Sequence, residues 1–343
     1  MGGRPPSLRS VSRPRTTDPG ELLAAARAGD RAAVARLLTI VELGGDAAAG
    51  VDRVAFAASG SAHTIGITGS PGAGKSTLTS ALIGEGRDAG HRIGVLAIDP
   101  SSPFTGGAIL GDRVRMGEHA LDADVFIRSM ASRGQLGGLA VATPQAARLL
   151  DAVGFDRVFI ETVGVGQVEV EVAGEADTTV VVVNPGWGDS VQANKAGLME
   201  IADVFVINKA DRAGVAETRR DLEQMLELSA TTDGPSPGPG AYGWRPPILA
   251  TVASAATGVV ELWVELERHR AHLEASGALG ERRAARLAGE MERVVAARLA
   301  EQVRELSAGA AFGRLQAEVT AGRLDPWSAA DRLLAGVLID DPR

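Results

Sequence analysis

The chain contains no cysteine. That excludes disulfides, thiolate nucleophiles and cysteine-bound metals. Aromatic residues are scarce, with seven Phe, four Trp and one Tyr among 343 residues. Such a composition suits packing of small aliphatic side chains more than an aromatic binding platform. Positive charge is also in short supply. Thirty-five Lys and Arg stand against 43 Asp and Glu, for a formal net charge of −8. Nucleic-acid binders usually carry a basic surplus, so nucleic acid is not an expected partner. No uncharged apolar run approaches the roughly 20 residues of a membrane span. The N-terminus carries Arg4, Arg9, Arg13 and Arg15 without the apolar stretch of a secretory signal. The expectation is a cytoplasmic protein without membrane contact.

What remains is a 45% hydrophobic chain dominated by Ala, Val, Leu and Gly. It is long enough to bury one large core or two modest ones. Residues 1–16, rich in Arg, Pro and Ser, read as a disordered tail. Asp18-Pro19 then supplies a helix cap with proline in the first turn. Gly29-Asp30 ends that helix and caps a second, which closes near Glu42. Near-continuous aliphatic runs follow at 64–68, 92–98, 125–129, 157–161, 178–184, 204–208 and 248–252. Such runs mark strands buried on both faces, and the helical stretches between most of them make a mainly parallel α/β sheet. Residues 230–247 form a proline- and glycine-rich insert, read as a surface loop. After Gly258 the pattern is helical, with Leu287, Met291, Val295, Leu299 and Val303 at every fourth position. The expected organisation is a tail at 1–16, a helical extension at 17–60, the α/β domain at 61–270 and a helical region at 271–343.

The most specific signal is Gly69-Ser70-Pro71-Gly72-Ala73-Gly74-Lys75-Ser76, a complete G-x-x-x-x-G-K-[ST] loop between a strand and a helix. Gly69, Gly72 and Gly74 let backbone N–H groups approach phosphate oxygens. The helix that follows, entered through Thr77, adds its positive end. Lys75 can reach the β- and γ-phosphates, and Ser76 can take a Mg²⁺ position. The loop alone does not choose between ATP and GTP. The strand 204–208 runs into Asn208-Lys209-Ala210-Asp211, an N-K-x-D sequence at the sheet edge where α/β ligand sites form. Guanine offers two adjacent N–H donors that one carboxylate accepts together, which makes Asp211 the expected reader. Asn208 can tie the base loop, and the Lys209 stem can lie across the base. Ser254-Ala255 can offer backbone N–H groups to guanine O6, although an ordinary loop explains that dipeptide equally well.

Three carboxylates are candidates for a Mg²⁺ site, which needs oxygen ligands. Asp99 and Glu161 each end a strand, and Asp112 lies in a glycine-rich stretch at 104–113. If both strands flank the phosphate-loop strand, Asp99 and Glu161 face the γ-phosphate. Residues 161–167 resemble a D-x-x-G switch with Glu in place of Asp. In it Gly164 can donate its N–H to the γ-phosphate, and Gln167 serves either to orient water or as a structural element.

The set of motifs, joined by Asp99-Pro100-Ser101-Ser102-Pro103 and the stretch 188–197, closely resembles the MeaB/ArgK family of G proteins, the bacterial relatives of the human methylmalonic aciduria type A protein. The resemblance runs from about Glu21 into the C-terminal helices. It implies a P-loop NTPase fold of the SIMIBI class, with an N-terminal helical extension and a C-terminal dimerisation arm. It also implies a Mg²⁺-dependent GTPase that cycles between GTP and GDP as a homodimer. The implied partner is methylmalonyl-CoA mutase or a related adenosylcobalamin-dependent acyl-CoA mutase, served by delivery of intact cofactor and by its protection or replacement after inactivation. By position the resemblance assigns Lys75 and Ser76 to phosphate and Mg²⁺, and Asp99, Asp112 and Glu161 to the metal and switch region. It assigns Lys195 to a third switch answering the partner. Val168 departs from the family's frequent Ser. Three other readings stand beside this one: a nickel-insertion GTPase, which needs soft or imidazole ligands; a P-loop kinase; and a scaffold that binds GTP without turnover. Only five His are present, and His269 and His272, three apart, make a weak metal pair.

Overall fold

The structure is a computed structural model that describes residues 17–100, 117–119, 121–132, 138–162, 175–186, 201–229 and 243–339. The N-terminal helices begin where capping chemistry puts them. Asp18 accepts the Glu21 N–H at 2.9 Å and opens α1 (Pro19–Arg27). Asp30 accepts from Ala32 and Ala33 at 2.9 and 3.2 Å and opens α2 (Arg31–Leu43). A third helix, α3 (Gly45–Phe56), was not expected. It starts from Gly44 at φ 74° with no side-chain cap, so its start leaves no cap residue in the sequence.

All seven expected strands form: β1 (His63–Gly69), β2 (Ile93–Pro100), β3 (Val125–Ser132), β4 (Arg157–Thr162), β5 (Thr178–Val183), β6 (Val204–Asn208) and β7 (Ile248–Thr251). They make one parallel sheet in the order β3-β2-β4-β1-β5-β6-β7. Every residue of β4, β5 and β6 is buried, the physical counterpart of the apolar runs at their centres, 158–160, 180–183 and 204–207. On one face α1–α3 share a core with α5 (Gly138–Val153), built on Leu37, Leu38, Val51, Leu149 and Leu150. On the other, α4 (Lys75–Asp88) and α7 (Val259–Ser276) bury Leu78, Leu82, Leu262 and Leu266 against Ile65 and Ile67. Helix α6 (Val215–Ser229) covers Phe205 and Ile207 with Leu222 and Leu226.

The N-terminal edge of the sheet holds a buried polar cluster. Thr178 Oγ1 lies 2.7 Å from His63 Nε2 and 2.8 Å from His269 Nδ1. Asp203 accepts from the Thr179 N–H at 2.9 Å and from Arg282 at 3.0 and 3.1 Å. Asp177 accepts from Arg283 at 2.6 and 3.0 Å. Arg282 and Arg283 belong to the first turns of α8 (Ala278–Ala308), so two charge-assisted pairs fix the start of that helix.

The chain divides into two compact units, residues 1–283 and 284–343. The expected boundary at 270 falls within α7; the paired arginines keep the root of α8 in the first unit. The second unit holds the rest of α8 with α9 (Ala310–Thr320) and α10 (Pro326–Ile339). These three segments line an open apolar pocket of about 430 Å³ formed by Leu306, Phe312, Leu315, Val319 and Leu333 among others. The stripe at Leu287, Met291, Val295, Leu299 and Val303 is exposed.

The two buried histidines set a pH dependence. Burial holds His63 down to about 3 and His269 down to about 4 from the usual 6.5, against the opposing pull of Asp177 and Asp203. The unfolded chain therefore binds more protons below pH 6.5, so this stability is complete above 6.5 and declines as pH falls toward the folded values. Urea unfolding should show a loss of about 1 kcal/mol per histidine between pH 7.5 and 5.5. An unfolding free energy that stays level over that range contradicts a buried, neutral pair.

Candidate nucleotide site

β1 is the central strand of the working edge, flanked by β4 and β5. Its last residue, Gly69, has φ 130°, and a Cβ there would lie 2.0 Å from the Val182 carbonyl oxygen. Only glycine lets the chain pass β5 this closely. The Ser70 N–H then donates to that same carbonyl at 3.1 Å. Pro71 and Gly72 are exposed, Ala73 is buried, and Gly74 at φ 90° stands immediately before α4. A helix of 14 residues thus aims its N-terminal N–H groups into the loop. Lys75 is buried, and its Nζ donates to the carbonyls of Gly69 at 2.8 Å and Ser70 at 3.1 Å. The ammonium lies under the loop it would need for a phosphate. Thr77 is exposed on the first turn.

Ser76 Oγ donates to Glu161 Oε1 at 2.5 Å, and both residues are buried. Glu161 reaches it because β4 pairs with β1 in register, Ile67 against Glu161. A hydroxyl and a carboxylate together, shielded from water at the loop, match the all-oxygen preference of Mg²⁺. The condition placed on Asp99 is only half met: β4 flanks β1, but β2 lies one strand further out, beside β4. Asp99 sits at the same sheet edge, paired in register with Ala131, and its side chain lies outside the described residues. Asp112, Gly164, Gln167, Val168 and Lys195 also lie outside them.

β6 delivers the base loop. Asn208 is buried, and its amide Nδ2 donates to the Ala73 carbonyl at 2.7 Å. Its Oδ1 accepts from Thr251 Oγ1 and from the Ala253 N–H, each at 3.1 Å. The Ala210 N–H donates to the Thr251 carbonyl at 2.9 Å. Sequence reasoning missed Thr251, whose signal is its register opposite Asn208 at the end of β7. Lys209 takes φ 59°, a left-handed conformation that costs a non-glycine residue energy and is retained where surrounding structure enforces it. Its Nζ donates to the Gly72 carbonyl at 2.6 Å, laying the stem across the phosphate loop. Asp211 is exposed. Ser254 is exposed, and the Ala255 N–H donates to the Val252 carbonyl at 2.9 Å within its own turn. His269 is fully buried in the Thr178 cluster, its ring tilted against Trp244 with centroids 4.7 Å apart, so it forms no exposed metal pair with His272. Among the described residues no group of three His, Asp or Glu is placed to hold a metal.

A phosphate loop on the central strand of a parallel sheet, tied by its base loop's asparagine, defines a P-loop GTPase. The family described as methylmalonyl-CoA mutase-associated GTPase MeaB matches residues 34–308, and the chain belongs to it. A protein of Pyrococcus abyssi that carries a GTPase name is 49% identical over 318 residues, covering 93% of this chain and 96% of its own length. The mitochondrial methylmalonic aciduria type A homolog of Mus musculus is 34% identical over 271 residues, 79% of this chain and 64% of its own. A crystal structure titled LAO/AO transport system kinase superposes with a TM-score of 0.65 at 25% identity, covering 95% of this chain and all of that one.

The loop geometry makes one substitution informative. A Cβ on Gly74 would lie 2.5 Å from Asn208 Nδ2, at a φ unsuited to alanine. Gly74→Ala should therefore break the Asn208 bridge and weaken guanine-nucleotide binding at least about tenfold, a loss of 1.4 kcal/mol. Gly84→Ala, in α4 with nothing within 4 Å, should instead stabilise the fold by about 0.5–1 kcal/mol with no loss of affinity. Titration calorimetry and thermal unfolding of the two variants check both.

Proposed function

We propose that the protein hydrolyses GTP with Mg²⁺ and, as a cytoplasmic homodimer, supports an adenosylcobalamin-dependent mutase. The mutase is methylmalonyl-CoA mutase or a close relative, served in cofactor loading and in protection or reactivation. The observation that carries the chemical part is the joining of phosphate loop, base loop and Ser76–Glu161 pair into one bed by residues far apart in sequence. The family's association with that mutase supports the biological part.

In this reading Lys75 exchanges its two loop carbonyls for β- and γ-phosphate oxygens. Backbone N–H groups of Gly72 and of residues 74–76 donate to the remaining phosphate oxygens, with the α4 terminus behind them. Ser76 and Glu161 would hold Mg²⁺, which supplies charge neutralisation between the phosphates, with Asp99 and Asp112 contributing from the switch region. Asp211 takes the two N–H donors of guanine, and the Ser254 backbone N–H serves guanine O6, since the Ala255 N–H donates to Val252. Gly164 senses the γ-phosphate. The exposed stripe from Leu287 to Val303 serves dimerisation.

Phosphoryl transfer gains roughly 10³–10⁵ when a charged group arrives in trans, and Lys195 is proposed to answer the partner. Lys75→Ala should lose basal hydrolysis by about a hundredfold or more. Lys195→Ala should keep basal hydrolysis and GTP affinity and lose most of the mutase stimulation. Phosphate release followed by stopped flow, with and without methylmalonyl-CoA mutase, reads all three. Wild-type protein that releases no phosphate from GTP contradicts the enzymatic reading; full stimulation of Lys195→Ala contradicts the switch role.

A further inference from the structure

The regular pairing of β1 with β4 stops at Ile67 and Glu161. Beyond that point β1 continues to Gly69 beside β5, where Gly69 pairs with Val182, and β4 continues beside β2, where Thr162 pairs with Ile98. The two strands separate just where one becomes the phosphate loop and the other leaves Glu161. Across that seam Thr162 Oγ1 donates to Thr68 Oγ1 at 3.0 Å and lies 3.4 Å from the Ile67 carbonyl oxygen. Both threonines are buried, at 0% and 2% exposure, in a sheet whose interior is otherwise largely aliphatic.

Stability does not account for the pair. Replacing both partners of a buried hydrogen bond by apolar groups of the same shape is close to neutral, and valine has the shape of threonine. The pair's specific consequence is geometric. Side chains alternate along a strand, so Glu161 and its neighbour Thr162 project to opposite faces. Thr162 is held to the residue before the phosphate loop while Glu161 reaches Ser76 at 2.5 Å.

We infer that the Thr162–Thr68 hydroxyl bridge is a positioning element that fixes the Glu161 carboxylate at Ser76, and so sets how tightly the site takes a divalent cation. This rests on the GTPase reading. Partners that orient a ligand from behind typically change metal affinity about 10–100-fold when removed.

The test reads metal binding without turnover. Dissociation of fluorescent N-methylanthraniloyl-GDP is followed as Mg²⁺ is titrated, for wild type, Thr162→Val, Thr162→Ser and the Thr68→Val/Thr162→Val double variant. The expected result is a Mg²⁺ midpoint raised about tenfold in Thr162→Val and in the double variant. Thr162→Ser should stay at the wild-type midpoint, and dissociation without Mg²⁺ should be the same in all four. The double variant leaves no orphaned hydroxyl, so it reports even if Thr162→Val folds poorly. A wild-type midpoint in the double variant overturns the inference. So does a serine variant as impaired as valine, which would make the effect one of packing. A wild-type protein that does not retain the nucleotide analogue overturns the nucleotide reading itself, and this inference with it.

Discussion

One carboxamide holds the nucleotide bed together. Asn208 stands at the end of β6 with its N–H on the phosphate loop at Ala73 and its oxygen on the β7 loop at Thr251 and Ala253. The β6–β7 ladder runs out to Asn208 opposite Thr251, and the Ala210 N–H donates to the Thr251 carbonyl, while the side chains of Asn208 and Lys209 reach the phosphate loop. Buried polar groups of this kind are costly unless fully paired, and Asn208 uses both its donor and its acceptor side. The left-handed Lys209 that follows, the glycine at 74 pressed against the amide and the Lys209 contact to Gly72 are all consequences of that placement. The phosphate loop and the N-K-x-D loop are thereby joined into one hydrogen-bonded surface.

The two ends of the sheet divide the work. At the C-terminal ends of the strands lie the glycine-rich loop with Lys75 and Ser76, and the buried Glu161. At the N-terminal ends lie Asp177, Asp203, His63 and His269, whose partners all come from the chain itself. Arg157 likewise meets Glu267 at 2.8 and 2.9 Å there. Bonds from α7 and α8 close that end, so its polar groups are stabilising furniture of the fold. The parallel topology links the ends, since β1, β4, β5 and β6 start among these polar groups and finish at the opposite edge.

Much of this was legible in the sequence, and the reasons are specific. A strand buried on both faces carries a continuous apolar run, so the centres of β4, β5 and β6 announce themselves while their polar ends mark the two sheet edges. A phosphate loop needs fixed spacing because backbone geometry is local. Asp18 and Asp30 reveal helix starts because capping is a contact of three residues. What stayed hidden depends on distance along the chain. Glu161 meets Ser76 across 85 residues and Asn208 meets Ala73 across 135; only sheet order settles such pairs. Sheet order also put β2 one strand further from β1 than a simple flanking arrangement. Helix α3 hid behind its glycine-rich start, and nothing in the string Arg282-Arg283 distinguishes a clamp from a solvated helix face. Asp112, Gly164 and Lys195 remain assigned by family resemblance.

Through Asn208 the phosphate loop, base loop and β7 loop should respond to ligand as a single bed. Amide hydrogen exchange with and without GDP and Mg²⁺ measures this directly. Residues 69–76, 208–211 and 251–255 are expected to slow together on binding, and all three to lose that protection in parallel when Asn208 is replaced by Ala. Protection confined to 69–76, with the other two segments exchanging as in the free protein, would contradict it.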